Sequence, residues 1–143
     1  MIPEINYWAV LVATVAAMVI GSVWYMPKVF GERWKKLAGV RDPATFTEAM
    51  LPLMVSTALA FLLAWVLAGS VAIAWHFYGG GYFSSAIVTG LTLWAGFTAG
   101  RFITHDVFEG RPSQLTILNI SHELVLVVVM SVIIGVWPPA GTV

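Results

Sequence analysis

Residues 112–137 form an apolar run long enough to cross a bilayer, and the run carries Asn119, His122 and Glu123 near its middle. No other stretch constrains the chain as strongly. At about 1.5 Å per residue, Glu123 lies roughly 16 Å along a helix from Pro112, close to the midplane of a hydrocarbon core about 30 Å thick. A carboxylate at that depth is costly unless it is paired, hydrated or protonated. The run therefore predicts a spanning helix whose polar groups either do chemistry or are held by another helix.

The rest of the chain has the same character. Of 143 residues, 59% are hydrophobic and 10% charged, and the mean hydropathy is +0.89, which leaves too little polar surface for a soluble globule of this size. The sequence predicts an all-α integral membrane protein, one domain over residues 1–143, with four transmembrane helices at about 6–26, 46–75, 83–103 and 112–137. No Lys or Arg precedes the first apolar run, which predicts that this helix is kept rather than cleaved as a signal peptide. With no cysteine there is no disulfide framework and no thiolate metal site.

Pro27 ends the first span, because a proline disfavours helical geometry at the residue before it. Residues 28–39 then place Val29, Phe30, Trp34 and Leu37 near one face and Lys28, Glu32, Lys35 and Lys36 on the other. This pattern predicts a short amphipathic helix lying in the membrane interface, with Lys28, Arg33, Trp34, Lys35 and Lys36 contacting lipid and anionic head groups. The alternative is a helix packed on its own protein. The second run exceeds one straight crossing, so it must tilt, kink at Pro52 or project beyond the core. Gly79, Gly80 and Gly81 mark a tight connection and lack the pattern of a phosphate loop.

The third span is rich in small residues. Ser85, Thr89, Thr92, Gly96 and Gly100 recur at three- and four-residue spacing and predict a packing seam, within the subunit or in a homodimer or higher homo-oligomer. All seven basic residues lie in two connections, Lys28, Arg33, Lys35, Lys36 and Arg41 in one, Arg101 and Arg111 in the other. In a four-span chain those connections share a side, and the positive-inside rule makes that side cytoplasmic. The expectation is a multi-pass protein of the cytoplasmic (inner) membrane with both termini outside. Tyr7, Trp8, Trp75, Tyr78, Tyr82 and Trp137 would form an outer aromatic belt, and Trp24, Tyr25, Phe30 and Trp34 an inner one. Val29 to Arg33 resembles Val107 to Arg111 at an offset that also aligns Leu37 with Leu115. Such a match would make the chain a 2+2 parallel repeat.

The string WYMPKVFGERW from Trp24 to Trp34 follows INYWAVLVA and precedes FEGRP and an Asn-bearing last helix. Together these resemble the membrane family called domain of unknown function 1761, over essentially the whole chain. The resemblance implies a small, four-helix, mostly bacterial membrane protein and brings no activity with it. The family pattern is W-Y-S-P-x-x-F-G-x-x-W, and Met26 stands here where the serine would be, so a role resting on that hydroxyl does not carry over.

Asn119 lies one helical turn from both His122 and Glu123. One reading is a substrate- or proton-binding site, in which Glu123 takes up and releases a proton beside His122, as intramembrane acids do in pumps and transporters. The other is a neutral glutamic acid hydrogen-bonded across to a second helix as a structural clasp. His105, Asp106 and Glu109 could ligate a metal, but Arg101 and Arg111 beside them disfavour a cation, and salt bridges fixing the turn are expected instead. No metal, cofactor or nucleic-acid partner is expected. No serine has a histidine and a carboxylate placed by spacing, so an enzyme has no positive support. The expected function is a small oligomeric proton-coupled transporter or permeation protein, the alternative a membrane scaffold or accessory subunit. Open space beside Glu123 favours the first, dry and fully bonded packing the second.

Overall fold

The computed structural model describes residues 4–142, and every regular element within them is helical. The terminal residues 1–3 and 143, which the domain and topology readings include, lie outside them. Helix α1 spans Tyr7–Trp24. Asn6 caps it: the side-chain oxygen accepts from the N–H groups of Trp8 at 3.1 Å and Ala9 at 3.2 Å, satisfying donors that a helix start otherwise leaves free. The Asn6 amide also donates to the Trp137 carbonyl at 3.2 Å, tying the first helix to the end of the last. Met26, before Pro27, is extended at φ −61° and ψ 143°. A π-helical turn, Pro27–Gly31, leads into α2, Glu32–Ala38, which Gly39 closes at φ 67°, a left-handed conformation that favours glycine.

Helix α3, Phe46–Tyr78, starts on a reciprocal cap in which Thr45 Oγ1 accepts from Glu48 N–H at 3.2 Å and Glu48 Oε2 accepts from Ala44 N–H at 2.9 Å. It continues through Pro52. Its 33 residues make about 50 Å of helix, more than a straight crossing needs. Helix α4, Tyr82–Leu93, runs through a π-helical stretch, Trp94–Ala99, into α5, Gly100–Glu109. Gly110 at φ 65° ends it, and α6 spans Ser113–Val136. The described residues thus hold four helical spans long and apolar enough to cross a membrane: Tyr7–Trp24, Phe46–Tyr78, Tyr82–Glu109 and Ser113–Val136.

The spans form a ring in chain order, α1 beside α3, α3 beside α4, α4 beside α6 and α6 beside α1, with α3 and α6 touching little across the centre. The core fills one half of this ring. Val10, Ala13 and Ala17 of α1, Ala64, Leu67 and Val71 of α3, Ala86 of α4, and Val127, Met130 and Ile134 of α6 are all buried there. So many alanines let helix backbones approach closely, which is how helices associate where the surroundings are as apolar as their side chains. In the other half no residue of α3 before Ala60 is buried. The first turns of α3 stand away from α5 and α6, and the basic connections lie at that end.

The structure bears on four expectations. The small-residue seam is not the packing face within the subunit: Thr92, Gly96 and Gly100 are exposed, and a Cβ on Gly96 would meet nothing within 4 Å. Close approach falls instead to Gly90, where a Cβ would overlap Ser131 Oγ and lie 3.2 Å from Val127, and to Gly135, where it would lie 3.0 Å from Ala86. The amphipathic segment makes contacts to its own protein while Val29 and Phe30 stay exposed. Trp34 meets Tyr25 edge to face with ring centroids 5.0 Å apart, Arg33 donates to Gln114 on α6 at 3.3 Å, and Lys35 bridges Glu32 and Asp42, each at 2.9 Å. Its hydrogen bonds to the Glu32 carboxylate first and the Asp42 carboxylate second hold the Lys35 ammonium above its ordinary range. Lys28 and Lys36 remain exposed. Of the outer aromatics, Tyr7, Trp8, Tyr78 and Trp137 are exposed, whereas Tyr82 is buried in the core. The two aligned stretches differ in backbone: Glu32 is helical where Gly110 is left-handed, and among the described residues no separate short helix like α2 lies between α5 and α6.

Candidate functional site

Trp24 and Tyr25 leave the end of α1 side by side, and the turn at Pro27–Gly31 folds the chain back over them. Phe30 meets Trp24 with ring centroids 4.6 Å apart, and Trp34 meets Tyr25. Glycine is required in this turn. The Gly31 N–H donates to the Met26 carbonyl at 3.0 Å, and a Cβ on Gly31 would overlap the Tyr25 carbonyl oxygen. The predicted inner aromatic belt is therefore a folded cluster, and it closes around a residue from α6. The His122 ring lies 5.7 Å from that of Trp24 and 5.1 Å from that of Tyr25, and Gly21 leaves room for its Nε2 on the α1 side.

His122 Nδ1 is 3.1 Å from Glu123 Oε1. The two residues are adjacent in sequence and about 100° apart around the helix, yet their side chains converge. In the tautomer of a neutral imidazole that donates Nδ1–H to the Glu123 carboxylate, Nε2 is an acceptor. The His122 side chain is 9% exposed and that of Glu123 27%. Among the described residues Glu123 has no side-chain hydrogen bond to another helix, and both His122 Nε2 and the Trp24 indole N–H are buried without a partner. Asn119 is half-buried and makes no side-chain hydrogen bond among the described residues, so the expected trio is a pair.

Beside this pair lies a half-open cavity of about 560 Å³, walled by α1, α3, α5 and α6. Its polar groups are Ser22 and Tyr25 near the end of α1, Ser56 on α3, and His122 and Glu123; the remainder is apolar, including Phe102 and Leu59. The cavity exists because the first half of α3 stands off from α5 and α6, in the half of the ring next to the basic connections. Asn119 does not line it.

A second polar cluster closes the turn between α5 and α6. Asp106 is buried, accepts from Thr116 Oγ1 at 2.6 Å and lies 3.8 Å from Arg111 Nε, while Arg111 also meets Glu109 at 2.6 Å. These are the expected salt bridges of the turn.

The family model that matches this sequence, over residues 8–135, is described as Protein of unknown function (DUF1761). The chain belongs to the DUF1761 family. No curated protein and no solved structure matches it. The DUF1761 match takes in the aromatic turn of α1 and the His122–Glu123 pair of α6 together. In this DUF1761 chain Met26, at the serine position of the pattern, is exposed and contributes its backbone carbonyl to the turn. Sequence reasoning found His122 and Glu123 from the cost of burying them. It missed Trp24 and Tyr25 as their neighbours, although the paired aromatics before Pro27 were the available signal. Trp94 was missed as well: its indole N–H donates to the Ile120 carbonyl at 3.0 Å and pins the π-helical stretch to α6 just before the pair.

Proposed function

We propose that this chain is a small, oligomeric, proton-coupled transporter or permeation protein, in which a solute reaches Glu123 through the cavity from the cytoplasmic side of the inner membrane. The observation that carries this reading is the open space beside a carboxyl group that no other helix holds. A structural clasp needs an interhelical partner, and among the described residues Glu123 is bonded only to its neighbour His122. The cavity lies in the half of the ring that carries the basic connections, which the positive-inside rule assigns to the cytoplasm. Buried Ala and Leu packing seals the other half. That combination suits a site open to one side at a time. The exposed face of Thr92, Gly96 and Gly100 is available to a second copy of the chain.

Single cysteines test access and orientation together, since the sequence has none of its own. Ser22→Cys and Ser56→Cys react with a membrane-impermeant maleimide from the same side as Lys36→Cys. Gly80→Cys reacts from the opposite side, and Ala64→Cys, in the core, stays unreactive. Inert thiols at positions 22 and 56 leave the scaffold reading in place. Labelling of positions 36 and 80 from one side removes the four-span topology.

A further inference from the structure

Resting on that reading, we propose that the cavity takes a hydrophobic organic cation, held between the Glu123 carboxylate and the aromatic side chains of Tyr25 and Phe102 in its wall. The charge of the lining decides the sign. Among the described residues no Lys or Arg lines the cavity, and the one carboxyl side chain in its wall is Glu123. The other titratable groups facing it are His122, whose Nδ1 is turned onto Glu123, and the Tyr25 phenol. The lining thus offers one acidic side chain and no fixed positive charge, in apolar surroundings. An anion would there be desolvated against a like charge, whereas a cation completes the pair.

The rest of the lining decides the type of cation. A bare metal ion needs six or more oxygen ligands for Ca²⁺ or Mg²⁺. Beyond the two oxygens of the Glu123 carboxylate the side chains here offer three hydroxyl oxygens, of Ser22, Tyr25 and Ser56, short of that number. Most of the wall is carbon. A cation with apolar substituents matches such a wall, and the aromatic side chains add cation–π attraction. A volume of about 560 Å³ is in the range of sites that enclose drug-sized molecules.

The test uses the full chain in lipid nanodiscs, with Ser56→Cys as reporter. Tetraphenylphosphonium and tetraphenylborate have the same shape and opposite charge, so comparing them needs no further variant. Tetraphenylphosphonium is expected to slow maleimide labelling at position 56 by roughly tenfold, the worth of one buried charge contact, and tetraphenylborate to leave it unchanged. Adding Glu123→Gln to the reporter removes most of the protection, and Phe102→Leu weakens it. Equal protection by both ions, protection by neither, or protection that survives Glu123→Gln in a protein that still elutes as the parent overturns the cation assignment while leaving an accessible cavity. A thiol at position 56 that no aqueous reagent reaches overturns both.

Discussion

Gly31→Ala lowers the stability of the folded protein by about 3 kcal/mol, the upper end of what forcing one methyl group into a closed site costs. The added Cβ would overlap the Tyr25 carbonyl oxygen and lie 2.8 Å from that carbonyl carbon and 2.9 Å from the Met26 carbonyl carbon. All three are backbone atoms, so no side-chain rotation relieves the overlap and the Pro27–Gly31 turn has to open. Opening it draws Phe30 from Trp24 and Trp34 from Tyr25, the two rings against which His122 is packed. Thermal unfolding in detergent, read against Lys28→Ala at an exposed position of the same turn, measures the loss. A Gly31→Ala protein that melts with the parent contradicts the turn geometry.

Gly90→Leu is the second large effect. Gly90 is buried where α4 meets α6, against Ser131 and Val127. Ser131 Oγ can swing aside for one carbon, but a leucine brings four, and the two helices must separate at about 3 kcal/mol or more. Gly96→Leu, six residues on, faces open space and leaves the thermal midpoint of the isolated subunit unchanged. Size-exclusion chromatography of the same pair carries a further reading. Gly96→Leu that dissociates an oligomer without unfolding it assigns the exposed seam to a subunit interface. Equal destabilisation by both substitutions contradicts the α4–α6 packing.

The four spans were legible because a long apolar run between charged connections has few other ways to fold, and the cost of burying Glu123 and His122 picked them out by type alone. Their surroundings were not legible. Asn119 shares a helix face with them by spacing, but the Trp24–Tyr25 cluster draws His122 toward α1, an arrangement set by the turn at Gly31 and by nothing in α6. The seam was read as though 3.6 residues per turn held throughout the third span. The π-helical stretch at Trp94–Ala99 breaks that register, and the inward face before it belongs to Ala86 and Gly90. The amphipathic segment had two partners available to its apolar side, lipid and protein. Hydrophobic periodicity is identical for both, and the protein contacts, Trp34 to Tyr25 and Arg33 to Gln114, lie across a proline turn or far away in sequence. The cavity depends on where α3 leaves its neighbours, which no local pattern encodes.

Whether Glu123 exchanges a proton with its surroundings is the point on which transport and scaffold part. The protonated-carboxyl infrared band of the parent protein, with Glu123→Gln to identify the contribution of this residue, measures it directly as pH is varied. A carboxyl group beside an open cavity, with its histidine on the same helix, is predicted to lose that band as pH rises and to regain it on return. A Glu123 band that persists unchanged from acid to strongly alkaline pH contradicts proton coupling and leaves a neutral structural residue.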